Sequence, residues 1–110
     1  LIKEPPIIVV QIETLRGVKN LPEIHKKHNF DNYMIGPYDL SASMGIPAKF
    51  DDPKYIKILQ NIKSIITNPK QMAVHIPSNV NKEIDKYENY GIIAVGMDTI
   101  VLLEGYKELK

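Results

Sequence analysis

The chain has 110 residues, enough for one small domain or a piece of a larger one. Its 44% hydrophobic and 25% charged residues suit a globular protein, and a net charge of +1 excludes a broad field aimed at nucleic acid or an anionic membrane. Cysteine is absent, which excludes disulfides, thiolate zinc sites and cysteine nucleophiles and fits a reducing, cytoplasmic setting.

The chain opens on Leu1-Ile2, as though in mid-chain, and nothing at its start reads as a signal peptide. The longest apolar run, Ile7 to Val10, is far too short to cross a bilayer. Pro5-Pro6 introduces a largely β-branched run, Ile7 to Ile12, which predicts a strand apolar on both faces. Thr14 is placed to cap a helix over Leu15 to Lys27, with Leu21 and Ile24 inward. A second strand is expected at Tyr33 to Ile35, stopped by Gly36-Pro37 and followed by a hydroxyl-rich loop carrying Asp39. Asp51 or Asp52 then caps a helix with Pro53 in its first turn. Tyr55, Ile58, Leu59, Ile62, Ile65 and Ile66 fall on one face of it, while Lys54, Lys57, Asn61 and Lys63 face water.

Met72 to Ile76 reads as a third strand, and Pro77-Ser78 starts a helix bearing Val80, Ile84 and Tyr87 with Gly91 as its C-terminal cap. Ile92 to Val95 is the fourth strand, ended by Gly96, and Asp98 or Thr99 caps a last helix through Leu109. The order is an α/β alternation of four βα units, with strands apolar enough to be covered on both faces. Parallel strands with helical crossovers follow, either a small open sheet or half of a (β/α)8 TIM barrel. In both, chemistry belongs at the carboxyl ends of the strands. Gln11, Glu13, Asp39, His75 and Asp98 collect there.

Glu13 and Asp39 admit two readings. They are joint ligands of a hard divalent cation, which often takes only one or two carboxylates and completes its shell with water or substrate, or they are helix and turn caps. Gln11, two residues before Glu13 and so on the same side of its strand, is a substrate hydrogen-bond donor or a satisfied core amide. Gly36, without a side chain, lets a ligand approach the backbone at Tyr38 and Asp39. A lone strand histidine such as His75 is more often structural than catalytic, and His25 and His28 fall in a lysine-rich, solvated stretch. No serine has an adjacent base, and the glycines form neither a GxGxxG nor a Walker pattern.

The stretches "VVQIET", "NLPEI", "IGPYDLSASMGIPAKFDDP" and "YGIIAVGMDTIVLL" together resemble the HpcH/HpaI family of 4-hydroxy-2-oxo-heptanedioate-type, class II pyruvate aldolases. The likeness is weakest between Lys63 and Asn89 and covers only the C-terminal half of that family, strands five to eight of a barrel of about 250 residues. The resemblance implies that Glu13 and Asp39, 26 residues apart, bind a divalent metal, Mg²⁺ or Mn²⁺ with Co²⁺ or Zn²⁺ as alternatives. It also implies that Gln11 contacts the pyruvate unit and that the backbone at Tyr38 and Asp39, opened by Gly36, receives its carboxylate. The implied reaction is reversible cleavage of a 4-hydroxy-2-oxo acid to pyruvate and an aldehyde, the cation stabilising the enolate charge. No Schiff-base lysine is needed, and no expected strand carries one.

In the family the proton-handling His-Asp pair and an enolate-steadying Arg come from the N-terminal half. The single arginine here, Arg16, does not match that position, so the 110 residues hold no catalytic acid–base residue of the family and form one partial domain. His75 matches no family catalytic residue, and Tyr38 is bulkier than the small residue of some members. The resemblance further implies a homo-oligomer in which the last helix, Ile100 to Leu109, is exchanged between subunits. Two other readings stand beside it: a related lyase or decarboxylase acting on oxaloacetate-like acids, and a catalytically silent half-barrel serving as an oligomerising or metal-binding module.

Overall fold

The computed structural model describes residues 4–28 and 30–109. Four short apolar runs, Val9–Ile12 (β1), Asn32–Ile35 (β2), Met72–Ile76 (β3) and Ile92–Val95 (β4), pair in parallel and lie side by side in chain order. A doubly wound sheet reverses its strand order at a switch point. This one does not, and uninterrupted order is the arrangement of consecutive strands in a (β/α)8 barrel.

The register sorts the side chains into two faces, because paired residues in neighbouring parallel strands point the same way. Val10 pairs with Tyr33 and Tyr33 with Met72, so these face the helices together with Ile12 and Ile76. Gln11 pairs with Met34 and Met34 with Ala73, so these and His75 face the opposite side.

Two long helices cover the first face. In α1 (Leu15–Lys27) the Thr14 hydroxyl accepts from the Gly17 amide at 3.0 Å, and Val18 and Leu21 are buried. In α3 (Pro53–Ile65) the Asp52 carboxylate accepts from the Lys54 amide at 2.8 Å, and Tyr55 and Ile62 are buried. These side chains join Ile12, Tyr33, Leu40, Ile66 and Met72 in one core. Each fully buried side chain of this kind contributes about 1.5–3 kcal/mol relative to exposure.

Several expectations need correction. β1 begins at Val9 rather than Ile7, because the first ladder partner is Asn32 and the Ile8 amide is taken by the Asp31 carboxylate at 2.8 Å. Ile7 is left 75% exposed. The stretch after Gly36 is not a loop but a short helix, α2 (Pro37–Ser43). Proline at its first position and two serine hydroxyls bonded back to the carbonyls three residues earlier hold it. The helix expected after Pro77 shrinks to Val80–Glu83 (α4), entered through Asn79 in the left-handed region (φ 52°) and followed by a 3₁₀ turn at Ile84–Tyr87.

Gly91 is not a left-handed helix cap. Its amide donates to the Met72 carbonyl at 3.0 Å, and a Cβ there would lie 1.9 Å from the Lys70 carbonyl oxygen, so close approach of two backbones demands glycine. In the last helix, α5 (Asp98–Lys107), Met97 takes the cap position and the Asp98 carboxylate bonds the Thr99 amide at 2.7 Å. His25 is half-buried rather than solvated, its Nδ1 2.9 Å from the Tyr33 hydroxyl.

The strands are also not covered throughout. Val9 and Val95 stay exposed at the two sheet edges, and α5 leaves Val101, Leu102, Leu103 and Tyr106 exposed. The radius of gyration of 15.9 Å exceeds the roughly 13 Å of a compact domain of this length, as partly unpacked edges require.

Candidate functional site

Continuing the register past the ends of the ladders builds the site. Ile12 pairs with Ile35, which sets Glu13 beside Gly36; Met34 pairs with Ala73, which sets Gly36 beside His75; and His75 pairs with Ala94. Glu13, Gly36, His75 and Ala94 thus form one layer at the carboxyl ends of the strands, on the face away from α1 and α3. Gln11 lies one layer below on the same side. The Gly36 amide, donating to the Ile12 carbonyl at 3.0 Å, ties the first two strand ends together.

Gly36 is the point on which the side chains of Gln11 in β1 and of Glu13 just past it converge. A Cβ added to it would meet Glu13 Cβ at 2.9 Å, Gln11 Nε2 at 3.0 Å and Glu13 Oε2 at 3.2 Å. Its backbone, φ −90° and ψ 91°, suits any residue, so glycine is required here by crowding and not by conformation.

From Gly36 the chain turns directly into α2. Asp39 sits exposed in the first turn, and Gly36 supplies no side-chain cap. The amides of Tyr38 and Asp39 therefore belong to the turn whose N–H groups have no acceptor within a helix. The serines that follow are structural. The buried Ser41 hydroxyl donates to the Tyr38 carbonyl (2.9 Å) and accepts from the Ala48 amide (3.0 Å), while that of Ser43 donates to the Leu40 carbonyl (2.8 Å) and accepts from the Leu15 amide (3.0 Å). They pin α2 to the start of α1 and to the chain leading into α3.

Gln11, Gly36, Tyr38 and Asp39 all line one cleft of about 210 Å³, with His75, Pro77 and Met97 on its far side. Glu13 abuts the cleft through Gly36. Gln11 is exposed into it. Tyr38, 59% exposed, stands edge-on to Phe50 with centroids 5.1 Å apart, and Phe50 in turn lies against Tyr55. Pro77 and Met97 carry no motif that marks them in the sequence; only the strand order brings them here. The resolved ionisation shifts near the core lie outside the cleft: burial raises the Tyr33 phenol above 10.0, and burial followed by the Tyr87 charge raises Tyr55.

Among the described residues no group of three or more His, Cys, Asp or Glu side chains is arranged to hold a metal ion. Any cation at these strand ends has at most the two carboxylates from this chain. That donor set is compatible with Mg²⁺ or Mn²⁺, which take hard oxygens and commonly retain water.

A family model for HpcH/HpaI aldolase/citrate lyase matches residues 3–104. The chain belongs to the HpcH/HpaI aldolase/citrate lyase family. Among curated relatives it is similar to the 4-hydroxy-2-oxo-heptane-1,7-dioate aldolase of Escherichia coli (strain ATCC 8739), 36% identical over 106 residues, which cover 93% of this chain and 39% of that protein. The chain thus spans about two fifths of the length of the relatives it matches. Its fold is shared with an HpcH/HpaI aldolase/citrate lyase family protein from Burkholderia cenocepacia J2315 (TM-score 0.74, 22% identity, 91% of this chain and 39% of that one). It is shared likewise with an HpcH/HpaI aldolase from Desulfitobacterium hafniense DCB-2 (TM-score 0.72, 18% identity, 94% and 41%).

Proposed function

We propose that these residues are the C-terminal half, strands five to eight, of a (β/α)8 barrel that cleaves 4-hydroxy-2-oxo acids to pyruvate and an aldehyde with a divalent cation. The observation that carries the reading is the convergence of Glu13 and Gln11 on Gly36, immediately before the helix that bears Asp39. Family membership and the curated aldolase relatives supply its chemistry.

On this reading Glu13 and Asp39 hold the ion, Mg²⁺ or Mn²⁺ by the hardness of their oxygens. When bound, such a cation supplies Lewis-acid stabilisation of the negative charge that develops on the keto oxygen as the C–C bond breaks. The remaining work falls to this chain's own groups. The Gln11 carboxamide donates to the 2-oxo acid. The amides of Tyr38 and Asp39 face its carboxylate, and the positive end of the helix dipole favours that charge. Gly36 leaves room for the ligand to lie against the backbone. Groups that move the proton belong to the other half of the barrel.

The exposed apolar side chains of α5 fit the same reading, in which the last helix packs on a second copy and the enzyme is a homo-oligomer. The test is an assay of the full-length protein against a panel of 4-hydroxy-2-oxo acids. Pyruvate release that chelation abolishes and Mg²⁺ or Mn²⁺ restores is expected. Release untouched by chelation, or none from any member, refutes the reading.

A further inference from the structure

The helix after β3 is cut to the short α4, and the helix-side face of β3 is left partly uncovered. Val74, two residues past Met72 and so on that face, is only half-buried. Between it and α3 lies a cavity of about 170 Å³, walled by Ile35, Tyr55, Leu59, Val74, Tyr87 and Tyr90. Two ring pairs stiffen the walls: Tyr87 stands against Tyr90 with centroids 5.2 Å apart, and Tyr55 against Phe50 at 5.5 Å.

Tyr55 is 3% exposed and borders this cavity, not the cleft at the strand ends. Among the described residues its hydroxyl has no hydrogen-bond partner, yet no unpartnered side-chain oxygen of a buried residue is fully sealed off. The Tyr87 phenol, from the 3₁₀ turn, lies near enough to add to burial in raising the Tyr55 phenol above 10.0. The hydroxyl end of Tyr55 is therefore on the Tyr87 side, where the cavity opens. A hydroxyl left without a partner among apolar walls is costly, and an oxygen acceptor placed beside it removes that cost.

We propose that this cavity is a second binding site, which takes an uncharged one-ring aromatic compound bearing an oxygen acceptor, with the Tyr55 hydroxyl as donor. An apolar cavity of about 150 Å³ is enough to hold benzene. Three tyrosine rings favour an aromatic guest through edge-to-face contact. The exposed Lys63 also borders the cavity and disfavours a cation, and the largely apolar walls make burial of any charge expensive. The site lies on the helix side of the sheet and stands or falls independently of the aldolase reading.

The test reads binding alone. Acetophenone, which carries a carbonyl acceptor, and toluene, which carries none, are titrated into the full-length protein with methyl-labelled isoleucine, leucine and valine. Saturable acetophenone binding that shifts the methyl signals of Ile35, Leu59 and Val74 is expected. Tyr55→Phe keeps the ring against Phe50 and deletes only the hydroxyl. Because that hydroxyl has no partner in the free protein, the variant is expected to melt at or above the wild type. It should weaken acetophenone about fivefold or more and change toluene less than about twofold.

Absence of saturable acetophenone binding, with water as the sole occupant, overturns the proposal. So does binding that spares those three methyl groups, or a Tyr55→Phe variant that keeps wild-type affinity for acetophenone or weakens both probes alike. A variant that melts well below the wild type would show that the hydroxyl already has a structural partner, and overturns it too.

Discussion

Replacing Gly36 with alanine tests the crowding at the strand ends directly. The new methyl would sit 2.9 Å from Glu13 Cβ and 3.0 Å from Gln11 Nε2, against the roughly 3.5–4.0 Å of a comfortable carbon contact. The Gln11 amide is the far end of a flexible side chain and can swing away; Glu13 Cβ is fixed to the backbone just past β1 and cannot. Overpacking of this kind costs about 1–3 kcal/mol. Because the Gly36 backbone is one alanine adopts freely, about 0.4–1 kcal/mol is recovered from the more restricted unfolded chain. The net loss is about 0–2.6 kcal/mol, or roughly 0–5 °C in the melting temperature of the proposed barrel of about 250 residues. A larger effect is expected on the ligand: with Glu13 displaced, stabilisation by Mn²⁺ and pyruvate together should shrink by more than half. Thermal melting of wild type and Gly36→Ala, each with and without both ligands, measures the two effects separately. If the variant melts at or above the wild type and gains as much from the ligands, the crowding argument is wrong.

Glu13→Ala and Asp39→Ala should each abolish the ligand-dependent rise in melting temperature, which at a hundredfold excess over Kd is worth about 2.7 kcal/mol in the wild type; titration by melting checks it. Tyr33→Phe removes the hydroxyl bonded to His25 and should cost about 1 kcal/mol in denaturant unfolding. Burial holds the Tyr33 phenol above 10.0 in the folded chain, so its contribution is fully present below pH 10 and is lost as pH rises through the higher folded value; the variant should show a shallower loss of stability above pH 10. The double change Leu102→Glu with Leu103→Glu, on the exposed side of α5, should lower the mass seen by light scattering, and an unchanged mass would count against subunit packing through that helix.

Local pattern made much of this fold legible. β3, β4 and α1 fall where their apolar periods and caps put them, because Thr14 and the β-branched runs carry the information within a few residues. The site was legible only in part. Gln11, Glu13, Gly36, Tyr38 and Asp39 stand out through the resemblance, yet nothing in the order of residues says that Glu13 and His75 share a layer. That follows from the register of three strands, which is a property of distant pairing. The setting of His25 escapes local pattern for the same reason, since its partner Tyr33 is on the next strand. The helix α2 is hidden in the pattern because serine favours turns unless its hydroxyl bonds back into the helix, as Ser41 and Ser43 do. Gly91 looked like a cap, and only the approach of the Lys70 carbonyl reveals its purpose.

Anomalous diffraction at the manganese edge, from crystals of the full-length protein grown with Mn²⁺ and pyruvate, bears most directly on the role given to the two acids. One peak bonded to carboxylate oxygens of both Glu13 and Asp39, with pyruvate lying over Gly36, is the predicted result. A peak that touches neither acid, or two acids turned away from a cation bound elsewhere, would contradict it.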